Sequence, residues 1–208
     1  MIGAVRTFAL AALAVLALAG CNKGAQPVSA DEMSLGSPTA KVTVIEYASV
    51  ACPICARFDI EVFQDFKKKY VDTGKVRYVA REALTGNQAL AASGFLLARC
   101  AGKDKYFQVT DAVYRAQEQI YEPGTESVQP GVARDVLGKI AQEVGLSDDQ
   151  MNKCINDETA IKSLNDRVER LARKDDVEAT PTFFVNGKKY EGYQSLAQLD
   201  TIIQPLLK

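Results

Sequence analysis

The strongest constraint on this chain is a β-branched run, Val42 to Tyr47 (VTVIEY), that leads into Cys52-Pro53-Ile54-Cys55 and then into a helical pattern. The run reads as a buried strand. Behind the cysteines, Ile54, Phe58, Val62, Phe63, Phe66 and Tyr70 recur on one side of a helix. Arg57, Asp59, Glu61, Gln64, Asp65 and Lys67 to Lys69 fall on the other side. Thr73-Gly74 ends the helix, and Val76 to Ala80 reads as a second strand. Strand, helix and strand in that order predict a βαβ unit. A CxxC at the start of its helix puts Cys52 where unpaired N–H groups and the helix dipole favour an anion. The thiolate is the reactive form of cysteine, so this is the setting of a redox pair. Pro53 suits the first turn because its missing N–H had no partner there.

Composition removes competing chemistries. The 208 residues include no histidine, which excludes imidazole-based hydrolases and His-ligated metal sites. A zinc site on Cys52 and Cys55 would need Cys100, Cys154 or carboxylates, whose spacing is not that of a zinc knuckle. Formal net charge is −1, with no basic surplus for nucleic acid. No metal and no cofactor are expected.

The remaining chain predicts a block of helices followed by ββα. Helical patterns cover Asn87 to Cys100, Lys103 to about Gln119, Gly131 to Val144 and Thr159 to Lys174. Ser147 with Gln150, and Ser195 with Gln198, are capping-box patterns that open two more helices. Between them Thr182 to Val185 (TFFV) reads as a strand, Asn186-Gly187 as a two-residue hairpin and Lys188 to Tyr190 as the return strand. Thr180-Pro181 stands directly before TFFV, where an X-Pro bond can be cis.

The N-terminus reads as an export address. Arg6 is followed by an apolar run of twelve, Phe8 to Ala19, too short for a comfortable membrane span. Leu18-Ala19-Gly20-Cys21 resembles a bacterial lipobox, which implies cleavage before Cys21 and a lipid on that cysteine. Residues 21–40 then read as a polar, flexible tether spanning about 25 Å on average. Export also places the chain where disulfides persist.

VIEYASVACPICARF, the helical block and VEATPTFFVNG together resemble the DsbA-like family of bacterial thiol–disulfide oxidoreductases, over about Leu35 to Lys208. The resemblance implies an α/β thioredoxin fold, residues 41–84 and 175–208, with an all-helical insertion over 85–174. It implies Cys52 as nucleophile, Cys55 as resolving thiol, and Thr180 with a cis Pro181 as the loop that faces them and pairs with substrate. Glu46 matches a buried acid that exchanges protons with the second cysteine; a satisfied strand carboxylate is the other reading. The most oxidising relatives carry histidine where this chain has Ile54, which predicts a milder oxidant. Cys100 and Cys154 are either two separate buried thiols or a structural disulfide, and export favours the disulfide.

The implied activity is insertion of disulfides into reduced exported polypeptides by a monomer that a DsbB-like membrane oxidase reoxidises. A reductase or isomerase of the same fold, and a peptide-binding lipoprotein adaptor or holdase, are the alternatives.

Overall fold

The computed structural model describes residues 28–125 and 127–208. The leader, Cys21 and the first part of the expected tether lie outside the described residues. Five strands, β1 (Met33–Leu35), β2 (Val42–Ala48), β3 (Val76–Glu82), β4 (Thr182–Val185) and β5 (Lys188–Glu191), form one sheet in the order β1-β3-β2-β4-β5. β2 and β3 pair in parallel, and every other pair is antiparallel. Both faces of β2 are covered, so it reads in sequence as a continuous apolar run. Val42 and Val44 pack with Phe58, Phe66, Leu199 and Ile203, while Ile45 and Tyr47 pack with Val79, Leu171 and Phe184.

Helix α1 spans residues 53–71, with α-turns at Pro53–Phe58 and Gln64–Phe66 alternating with wider π-turns at Asp59–Phe63 and Lys67–Val71. Between β3 and β4 come α2 (Gln88–Cys100), α3 (Tyr106–Arg115), α4 (Gln117–Ile120), α5 (Pro130–Glu143), α6 (Asp148–Ile155) and α7 (Glu158–Asp175). Helix α8 (Leu196–Leu207) ends the chain. Local sequence sets the ends of these elements. Both capping boxes form, at Ser147 with Gln150 and at Ser195 with Gln198. Asn87 caps α2 by accepting from the Leu90 N–H at 3.0 Å. Asn186 and Gly187, at φ 46° and 86°, give the left-handed pair that a two-residue hairpin needs.

Three details differ from the sequence reading. The expected tether, 21–40, contains β1: Met33 and Leu35 pair with Ala80 and Tyr78 at the edge of the sheet. Three residues are too few to show strand periodicity, and the pairing rests on the side chains around it. Glu32 and Asp175 both accept from Arg81, whose side chain is fully buried. The single helix expected over Lys103 to Gln119 breaks at Ala116 into α3 and α4, which turns Gln117 into the core. Helix α7 lies within the expected insertion, yet its last turns belong to the sheet layer. Leu171 packs on the sheet, and the Tyr47 hydroxyl donates to the Leu171 carbonyl at 3.1 Å.

A second buried ion cluster joins the helices to the sheet. Glu82, at the end of β3, accepts from Arg99 of α2 at 2.5 and 2.9 Å and from Arg167 of α7 at 3.0 and 2.8 Å. Removing the carboxylate would leave Arg167 buried without its counter-charge, a class of change that costs about 3–5 kcal/mol. Glu82→Ala should therefore lower unfolding free energy by at least about 3 kcal/mol in urea titrations with an unchanged slope. A loss below about 1 kcal/mol would show that the cluster is dispensable.

Candidate active site

β2 stops at Ala48, and the loop Ser49–Cys52 carries the chain to α1. Cys52 is the N-cap, extended at φ −96° and ψ 121°, and its N–H donates to the Ser49 carbonyl at 3.0 Å. The helical block completes this loop. The Gln117 side-chain amide donates to the carbonyls of Val50 at 2.7 Å and Cys52 at 3.3 Å, and the Tyr121 hydroxyl donates to that of Ala51 at 2.6 Å. Gly86 sits at φ 71°, and a Cβ there would lie 2.5 Å from the Ala51 carbonyl oxygen, so only glycine fits this approach.

Cys52 and Cys55 are both free thiols with unequal surroundings. The Cys52 pKa falls to about 6. The Cys55 thiol, hydrogen-bonded to the sulfur, is the largest cause; burial opposes it, and the Thr180 hydroxyl and the N–H groups of Cys55 and Ile54 add to it. The position at the N-terminus of α1 favours the same charge. As a neutral thiol Cys52 donates to the Thr180 carbonyl at 3.6 Å. The Thr180 and Thr85 hydroxyls are 2.6 Å apart, so when Thr85 is the donor the Thr180 proton is free to turn toward Cys52. Cys55 is pushed well above the ordinary thiol range, first by burial and then by the hydrogen bond and charge of Cys52. The pair thus holds one ionisable sulfur and one that keeps its proton.

The Thr180-Pro181 bond is cis, and the Thr180 carbonyl lies against Cys52. Beneath the thiols lies a group of carboxyls. Glu46 is buried on β2 and accepts from the Tyr78 hydroxyl at 2.5 Å. Burial raises its pKa to about 8, and the charges of Asp59 and Cys52 push the same way. Asp59 is also raised to about 8, by burial and then by the charge and hydrogen bond of Asp111.

Two side chains contradict the helical sidedness read from sequence. Ile54, expected inward, is 47% exposed, although Cys55 and Ala56 of the same turn are buried. Asp59, expected on the solvent side, is buried because α3 covers that flank of α1, bringing Asp111 and Thr110 to it. Tyr78, Thr85, Gln117 and Tyr121 also belong to the site and carry no sequence signal of that role. Each acts through a tertiary contact that leaves no local pattern.

Among the described residues no group of three or more Cys, Asp or Glu side chains is disposed to hold a metal ion. Cys100 and Cys154 are joined by a disulfide, Cα atoms 6.1 Å apart, that ties the end of α2 to α6. Cys21 lies outside the described residues.

The two thiols should separate in alkylation of the reduced protein. One equivalent, at Cys52, should react with a half-maximal rate near pH 6, while Cys55 stays inert through pH 9. Equal reactivity of both thiols, or a midpoint near 9, would contradict the asymmetry. The Cys52 pKa is depressed from 9.0 to about 6, so between those values the unfolded thiol holds a proton that the native one has lost. The reduced form should therefore gain stability over the oxidised form as pH rises from 6 to 9.

The profile of the thioredoxin family matches residues 29–205. A Rickettsia bellii protein with the provisional name of protein-disulfide oxidoreductase is 31% identical over 166 residues, 80% of this chain and 61% of its own length. Disulfide bond formation protein D of Bacillus subtilis is 25% identical over 183 residues, 88% of this chain and 80% of its own. The crystal structure of α-DsbA1 from Wolbachia pipientis superposes with a TM-score of 0.76 at 27% identity, covering 89% of this chain and 95% of that one. The chain spans about 60% of the length of the rickettsial relatives it matches. The chain belongs to the thioredoxin family, and the solved structures it resembles include DsbA proteins.

Proposed function

We propose that the protein is a thiol–disulfide oxidoreductase that introduces disulfides into reduced exported polypeptides. The observation that carries this reading is the inequality of the two thiols: Cys52 ionises near pH 6 beside the Thr180 backbone, while Cys55 is buried and keeps its proton. In the oxidised protein a substrate thiolate attacks Cys52 Sγ. The Cys52–Cys55 bond breaks, and the Cys55 thiolate leaves and takes up a proton. A second substrate thiolate attacks the substrate sulfur of the mixed disulfide and expels Cys52 as a thiolate. Two electrons have then passed from the substrate dithiol to the protein. A low pKa makes Cys52 a good leaving group and stabilises the reduced form, which favours the oxidising direction.

Glu46 is the proton donor and acceptor for Cys55 in this scheme. It is buried next to the site, it titrates near 8, and its charge raises the proton affinity of Cys55. Thr180 and Pro181 form the loop that meets the substrate backbone. Cys100 and Cys154 take no part in turnover and staple the helices. Closing a loop of this length, 54 residues apart, is worth roughly 4 kcal/mol on chain-entropy grounds. The leader pattern and the lipobox ending at Cys21 support export and a lipid anchor on the periplasmic face of a bacterial membrane. Reoxidation falls to a DsbB-like membrane partner, and the protein acts as a monomer. The reductase or isomerase reading keeps the same site and reverses the electron flow; Ile54, which adds no positive charge beside Cys52, is the feature that favours it.

Incubating the oxidised protein with a reduced, unfolded polypeptide and counting the disulfides gained tests the reading. The wild type should oxidise the polypeptide, and Cys52→Ala should abolish this. Cys55→Ala, with a disulfide-bonded substrate, should accumulate a mixed disulfide on Cys52. A wild type that adds no disulfides, while folded Cys52→Ala protein binds the polypeptide as the wild type does, would leave a non-enzymatic binding role as the better reading.

A further inference from the structure

A groove of about 420 Å3 opens beside the reacting sulfur, between the β3–α2 connection (Leu84, Thr85), α7 (Val168, Ala172) and the loop before β4 (Ala179, Thr180). Its size is that of a site for one or two side chains, at the lower end of ligand-pocket volumes. Thr180 belongs to both the groove and the catalytic centre, since its carbonyl lies 3.6 Å from Cys52 Sγ. A polypeptide bonded to Cys52 and extended along the Thr180 backbone therefore runs into this groove. The bed is apolar: Leu84 and Val168 are partly buried against the helical core, and Val177 against the sheet.

The rim carries one sign of charge. Glu169 and Glu178 are the charged residues that line the groove, both exposed. Glu169 shares an exposed ion pair with Arg173 at 3.0 Å, and Glu178 lies near Lys189, whose amine is bound to Glu191 at 2.8 Å. A larger groove along α1, at Pro53, Ala56 and Ile60, offers no such choice. It is lined by Arg57 and Arg115 as well as Glu61 and Glu118, and Thr180 is not part of it.

We propose that the groove between α7 and the Thr180 loop selects the polypeptide held on Cys52, seating an apolar side chain that flanks the partner's cysteine and favouring, through Glu169 and Glu178, a basic neighbour over an acidic one. The inference rests on the exchange chemistry proposed above and adds the sequence class that the site prefers.

The test uses the reduced protein and short peptides whose single cysteine is capped as a mixed disulfide with thionitrobenzoate. Attack by Cys52 releases the chromophore, so the rate is read without tryptophan. The cysteine is flanked on one side or the other by Leu-Lys, Leu-Glu or Gly-Lys. On one of the two sides, Leu-Lys should react about fivefold faster than Leu-Glu at low salt, the gain falling as salt rises. Leucine should exceed glycine by several-fold. In Glu169→Gln/Glu178→Gln the Lys-over-Glu ratio should fall toward one, with the leucine advantage intact. Val168→Ser should reduce the leucine advantage and spare the charge ratio. Unchanged thermal midpoints and unchanged rates on a small disulfide without flanks confirm intact folding and chemistry. Flank ratios that are the same in wild type and both variants would overturn the groove assignment. Failure of the wild type to release chromophore from any peptide would instead overturn the exchange chemistry itself.

Discussion

The site depends on an electrostatic difference between two sulfurs one helical turn apart. Cys52 stands at the helix N-terminus, where N–H groups, the Cys55 thiol and the Thr180 hydroxyl all stabilise negative charge. Cys55 points into the core, where burial makes the same charge costly. Neither effect needs a histidine or a metal. One thiolate and one thiol in contact are what the proposed exchange requires, with Cys52 meeting the partner and Cys55 closing it.

The rest of the fold holds that difference in place. β2 and the parallel β3 set the end of the sheet from which α1 starts, and the loop before β4 holds the Thr180 backbone against Cys52. The helices between β3 and β4 do more than enlarge the domain. Gln117 and Tyr121 satisfy the carbonyls of the cysteine loop, and α3 buries Asp59. Arg99 and Arg167 meet on Glu82, so helices and sheet share a buried charge cluster. α7 also forms one wall of the groove beside Thr180, which gives the helical block a part in selecting what reaches the sulfur.

What could be read from sequence was what local pattern controls. The strand before the cysteines, both capping boxes, the Asn186-Gly187 hairpin and the proline before TFFV each carry their own stereochemistry, and each stands where the pattern put it. What could not be read was set by distant partners. β1 is a strand because β3 offers it an edge and Arg81 offers Glu32 a counter-charge. Asp59 lies on the polar side of α1 by periodicity and is buried only because α3 packs there. Thr85 has no motif of its own and gains its place from a hydroxyl contact with Thr180.

The redox potential of the Cys52–Cys55 pair tests the central claim most directly. Equilibration in glutathione buffers, followed by alkylation and mass shift of the two cysteines, measures it without tryptophan fluorescence. A thiol titrating at about 6 lies between the values near 7 of thioredoxin and near 3.5 of DsbA, whose potentials are about −270 and −120 mV. The predicted potential falls between these two, more oxidising than thioredoxin and milder than DsbA. A value at or below that of thioredoxin would contradict the claim that the asymmetry of the two thiols makes this protein an oxidant.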